Sequence, residues 1–368
     1  MPPLEVQDKM FVDVAAFRAT VHGEGACTLC HAGQGDASDK DAAHQGLVAD
    51  PSAEPDKVCG PCHPDIAKTA ASSLHYTFRG LEHTFKMRGS AASQATLQKA
   101  NQELCGQCHT TCGQCHVARP TTNQGGLLQG HVFTKQPPME QTCQGCHGAR
   151  VVEEYRGVND GLGPDVHWSK AEMSCFDCHT GAEMHGDGQV YQDRYAGPAQ
   201  PDCLKCHDRV RPGNSGIKQH DVHGSKLSCQ VCHAVKYTNC FGCHGARDGA
   251  GQLVFFDQKV STDFKIGRNY RQSPTRPWDY VVVRHPPVAR DTYDAYAPGL
   301  LPNYDALPTW KYATPHNIHL KTPQNESCEA CHGQPQWFLL EGDVDPDERK
   351  ANQDVIVPQA PPLPTPTP

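Results

Sequence analysis

The pattern Cys-x-x-Cys-His recurs ten times in this 368-residue chain and uses all twenty of its cysteines. The paired thiols are Cys27 and Cys30, Cys59 and Cys62, Cys105 and Cys108, Cys112 and Cys115, Cys143 and Cys146, Cys175 and Cys178, Cys203 and Cys206, Cys229 and Cys232, Cys240 and Cys243, and Cys328 and Cys331. Each pair is followed at once by an imidazole: His31, His63, His109, His116, His147, His179, His207, His233, His244 and His332. Two thiols separated by two residues can add to the two vinyl groups on one edge of a porphyrin, and the next side chain then turns beneath the ring to reach the iron. A zinc ribbon needs two CxxC pairs per metal and no adjacent His. A disulfide framework has no reason to place His after every second Cys. The pattern therefore predicts ten covalently attached haem c groups, with the ten motif histidines as proximal ligands.

The rest of the composition fits that reading. The hydrophobic share of 37% includes the twenty cysteines, aromatic residues make up only 7%, and there are 33 glycines and 30 prolines. Such a chain is poorly equipped to build a side-chain core. Ten macrocycles would supply flat apolar surfaces in its place, so the expected fold is a multihaem cytochrome, mostly irregular, with short α-helices, very little β and a haem-packed core. Without haem it is expected to be unfolded.

The motif starts group as four within 1–130, five within 131–250, and a tenth alone in 328–349, after a haem-free insertion at 251–327. A Pro-rich tail or linker follows at 350–368. The spacing suggests an array in which each unit contacts mainly its neighbours. Pro64 to Met87 and Ser90 to His109 are the best helical candidates, and Tyr280 to Pro287 is the one strand-like run. If Cys105 to His116 were one helix, its two attachment points would lie about two turns apart on nearly the same face. The segment Gly245 to Ser327, rich in Tyr, Pro and Arg, reads as a strap over haem faces, with a docking surface or substrate pocket as the sharper alternative. Gly157 to Asp165 reads as a polar turn; calcium binding through Asp160 and Asp165 is the alternative.

Twelve histidines lie outside the motifs. Ten are candidate distal ligands: His22, His44, His75, His83, His131, His167, His185, His220, His223 and His316. His285 is set aside because two prolines follow it, and His319 because it sits so close to His316. Six methionines are too few to ligate widely, and Met87 and Met184 read as gap-fillers. Bis-histidine, low-potential sites are the default expectation. Sequence order does not say which distal His serves which iron.

These motifs identify the chain as resembling bacterial and archaeal multihaem c-type cytochromes. That resemblance implies electron transfer in extracytoplasmic or extracellular respiration, with redox partner proteins or an extracellular acceptor. The stretches "SCQVCHAVKYTNCFGCHG" and "ALPTWKYATPHNIHLKTPQNESCEACHG" resemble the octahaem tetrathionate reductase type, which implies the alternative: reduction of a small sulfur or nitrogen oxyanion at one open haem. Against it, every motif ends in His and none in Lys. Resemblance to filament-forming extracellular cytochromes implies a possible homo-oligomer in which His22 ligates a neighbouring subunit's haem, although an intramolecular role is the simpler expectation. The net charge of −8 argues against nucleic acid as a partner. "MPPLEVQDKMFVDVAAF" lacks the basic start and apolar run of a secretion signal. A periplasmic or cell-surface location therefore implies a signal already removed, and the tail suggests a membrane or surface anchor beyond it.

Overall fold

A computed structural model describes residues 4–105, 110–158, 162–191, 195–197, 200–213, 215–235, 238–247, 250, 253–261, 264–286 and 288–364; within 104–105, 149–150, 238–247 and 253–261 it describes backbone only. The chain is mostly coil and short helices with little strand. The longest described helix, Gln94–Cys105, has 12 residues, and no described helix is long and apolar enough to cross a membrane. The chain divides into two compact units: Met1–Gly80, Asn101–His147 and His179–Arg194 form the first, and Leu81–Ala100, Gly148–Cys178 and Tyr195–Pro368 the second.

The run expected as one helix from Pro64 to Met87 is two, Pro64–Ala70 and Arg79–Arg88. Serine and threonine side chains between them bond locally and across the unit, which gives the backbone an alternative to the helix. Ser73 Oγ donates to the Met184 carbonyl and accepts from the His75 N–H, while Thr77 Oγ1 donates to the Ser73 carbonyl. The interruption carries His75. Ser90 begins the next stretch with a capping box to Ser93. The run from Cys105 to His116 is not one helix either. Thr111 is extended (φ −95°, ψ 170°) and caps a separate helix, Cys112–His116, so the two-turn spacing between the attachment points does not apply.

In the first unit, Ala67, Ala70 and Val117 are the buried hydrophobic residues among those described. The apolar clusters all lie in the second unit. There β1 (Thr238–Arg247) pairs antiparallel with β2 (Leu253–Ser261). β3 (Lys265–Arg268), β4 (Tyr280–Arg284) and β5 (Lys311–Tyr312) form a second antiparallel sheet in the order β3-β4-β5. β4 is the run expected from sequence. It is buried on both faces: Val282 packs with Val231, Phe264, Ile266, Phe338 and Val357, and Val281 and Val283 pack with Trp310, Leu339 and Val355. A strand sandwiched in this way reads as a continuous Val run rather than an alternating one.

The haem-free insertion is thus joined to the eighth and tenth motifs and to the tail by one core. The tail is docked as far as Pro362. Arg268 N–H donates to the Val355 carbonyl, Val357 N–H to Leu339, and Gly333 N–H to Pro361. Deep in this unit Glu154 is 2% exposed and accepts from Arg284 Nη2 at 2.8 Å and from the His316 N–H at 3.0 Å. Burial pushes its carboxyl up to about 7, and Arg284 pulls in the opposite direction.

Candidate cofactor sites

One turn of helix closes most of the motifs. Cys27–His31, Cys112–His116, Cys143–His147 and Cys229–His233 are each a five-residue α-helix. In the second, seventh and tenth motifs the His N–H donates to the carbonyl of the first Cys at 2.8 to 2.9 Å. Such a turn sets both thiols and the imidazole on one side. Side chains of Cys105–His109 and Cys240–His244 lie outside the described residues; of these motifs only the backbone of Cys105 and of β1 is described.

Seven imidazole pairs define the geometry. In the first unit His31 faces His131 at 5.8 Å between ring centroids, His63 faces His22 at 6.2 Å, His116 faces His185 at 6.1 Å, and His147 faces His75 at 6.2 Å. In the second, His207 faces His167 at 5.9 Å, His233 faces His220 at 6.1 Å, and His332 faces His223 at 5.9 Å. Every one of these pairs joins a motif His to a non-motif His. Two imidazoles ligating one metal from opposite sides, with metal–nitrogen bonds of about 2 Å, place their centroids about 6 Å apart. Among the described residues no three His, Cys, Asp or Glu side chains converge on a point, so the imidazoles come in twos, as a macrocycle that supplies its own four nitrogens requires.

The second nitrogen of each ring is often held as well. Nδ1 of His31 donates to the Val48 carbonyl (2.9 Å), of His116 to Thr134 (2.7 Å), of His233 to His319 (3.1 Å), of His332 to Pro362 (2.9 Å) and of His223 to Gln219 (3.2 Å). This fixes the tautomer and leaves Nε2 as the atom that could ligate a metal. Three of the residues whose carbonyls accept these bonds reciprocate: Val48, Thr134 and His319 each return a backbone N–H to the carbonyl of the same motif His. His319, set aside as a ligand, therefore works through its backbone. Burial first, and the facing motif His second, lowers the pKa of His22, His131, His185 and His220, which keeps them neutral as a metal requires.

Local backbone serves the same end. His131 sits at φ 78° after Gly130 at φ 58°, a conformation costly for a non-glycine residue and concentrated at functional sites. Gly113, inside the fourth motif, donates to Ser52 Oγ at 2.9 Å, and a Cβ there would meet that oxygen at 2.7 Å. The eighth motif is gripped by the segment ahead of the tenth. Gln324 donates to the carbonyls of Val231 and Ala234, and Thr322 and Asn325 to that of Cys232.

Thiol neighbours give an order. The Cys59 thiol is pushed up to about 11 by burial, then by Cys112 and Cys30. Burial also raises Cys115, with Cys143 and Cys146 contributing. In the first unit the motifs therefore adjoin in the series one, two, four, five. In the second, burial raises Cys178, helped by Cys206 and Cys203; Cys203 and Cys229 share a hydrogen bond; and Cys331 adds to the burial that lifts Cys232 to about 11. That series is six, seven, eight, ten. Thioethers would not titrate, so the content of these shifts is position.

His44, His83 and His316 stand in none of the seven pairs. His44 is exposed and bonds the Lys40 carbonyl (2.6 Å). The His83 pKa is lowered by burial, then by Arg271. His316 donates its backbone N–H to Glu154. His285 contacts Glu348 at 2.8 Å and stacks on Trp310 at 4.8 Å. Asp165, read as a possible calcium ligand, instead caps the helix Val166–Ser169; Asp160 lies outside the described residues. No protein-family model, curated protein or solved structure matches the chain.

Proposed function

We propose that the chain carries electrons through ten covalently attached haem c groups, each held by the two cysteines of its motif and ligated by the motif His, predominantly with a second His opposite. The observation that supports this most is the set of seven motif-to-non-motif imidazole pairs at 5.8 to 6.2 Å. The bound group supplies reversible one-electron chemistry. The two cysteines of a motif would hold the group and the two facing imidazoles would ligate its iron, which would leave a substrate no place at those seven sites. The motif series one, two, four, five and six, seven, eight, ten set eight of the ten motifs beside a neighbour, as a conduit needs. Resemblance to multihaem cytochromes adds the compartment, periplasmic or cell-surface, and the partners, a redox protein or an extracellular acceptor.

Purified protein should carry ten haems per chain by pyridine haemochrome assay, and after denaturation none of its cysteines should react with an alkylating reagent. Free thiols together with a lower haem count would contradict the reading.

A further inference from the structure

We propose that the sixth and seventh sites are the low-potential pair of the chain, because each has an axial histidine whose Nδ1–H is donated to a carboxylate instead of a carbonyl. This rests on the electron-carrier reading. At the seventh site His167 donates Nδ1–H to Asp165 Oδ1 at 2.8 Å. The Asp165 side chain is 2% exposed and accepts two further bonds, from the His167 N–H (2.7 Å) and the Ile318 N–H (2.7 Å). Among the described residues no Lys or Arg ion-pairs with it. At the sixth site His179 donates Nδ1–H to Glu183 Oε2 at 2.9 Å, with the Glu183 side chain 21% exposed.

The contrast lies within one molecule. The axial rings of the first, fourth, eighth and tenth sites donate to neutral backbone carbonyls. A carboxylate makes a stronger, charge-assisted bond and raises the basicity of the ring it orients. Its negative charge also stabilises the ferric state over the ferrous one, more so where water is excluded. Both effects lower the reduction potential. The effect is larger at Asp165, because Glu183 is partly screened by solvent. The two sites are consecutive, since Cys178 adjoins Cys203 and Cys206. Asp165 and Glu183 are positioning residues; neither touches the cofactor's iron.

The test is a spectropotentiometric titration of the haem-loaded protein with Asp165→Asn and Glu183→Gln, each checked for ten haems and a low-spin spectrum. Asp165→Asn should raise the reduction equilibrium constant of one haem equivalent about tenfold, or about 59 mV for one electron, out of the lowest-potential part of the curve. Glu183→Gln should move a second equivalent upward by less. Unchanged titration curves in variants that keep ten low-spin haems would overturn the proposal. If Asp165→Asn loses haem, because Asp165 also caps a helix, Glu183→Gln decides alone. A wild-type protein without ten haems would sink the electron-carrier reading instead.

Discussion

Produced without haem, the protein should show rapid amide exchange throughout residues 4–80, 110–147 and 179–191, while β3, β4, β5 and the segments packed on them stay protected. Apart from the prolines Pro55 and Pro120, the first unit buries only Ala67, Ala70 and Val117 among its described apolar side chains. Ordering a chain costs roughly 1 kcal/mol or more per residue, and three small side chains cannot offset that. On the proposed reading its sites would have to be filled for it to fold, as small metal-dependent domains must bind metal. The second unit differs because Val282, Ile266, Leu339, Val355 and their neighbours form a side-chain core. Hydrogen exchange read by mass spectrometry on haem-free and haem-loaded protein separates the two outcomes. Protection of residues 4–80 without haem would mean that the first unit has a source of stability other than its cofactors.

Substituting His75 with Ala should convert one haem equivalent from low-spin to high-spin and create one carbon monoxide site per reduced chain, with ten haems retained. His75 faces His147 at 6.2 Å, and its pKa is lowered chiefly by burial. On the proposed reading, removing it would leave the iron of the fifth site one ligand short, while thioethers to Cys143 and Cys146 would still hold the group. His285→Ala is the matched control. Its ring contacts Glu348 and Trp310, so no high-spin signal is expected. A His75 variant that remains fully low-spin would mean that the His75–His147 pair is not an axial pair.

The proposed attachment rests on the sequence, because CxxCH would put two thioethers and a ligand into five adjacent residues. Of the ten histidines expected as distal ligands, seven face a motif histidine. Their pairing was not legible in the sequence. His22 faces the second motif rather than the first, which lies nearer in sequence; His131 reaches back to the first; and His167 faces the seventh rather than the sixth. Such choices are set by loop closure and long-range packing, which leave no local signature. The carbonyls of Val48, Thr134, His319 and Pro362 that hold the axial rings were invisible for a simpler reason, since every residue has a carbonyl. Composition suggested a chain without a side-chain core, which describes the first unit. It averaged away the Val-rich strand Tyr280–Arg284 and the docked tail, which give the second unit its core. His22 shows the same limit from another side. Its place on an N-terminal arm left a role in a neighbouring subunit open, whereas in the folded chain it lies beside His63.

The most direct test of the central claim is an EPR spectrum of the fully oxidised protein, with haem counted on the same sample and carbon monoxide binding measured after reduction. The account predicts low-spin signals alone, spread over several types because the imidazole planes cross at angles from 28° to 75°, and no carbon monoxide uptake. A high-spin signal of one haem equivalent or more with matching uptake would contradict an electron carrier closed at every iron.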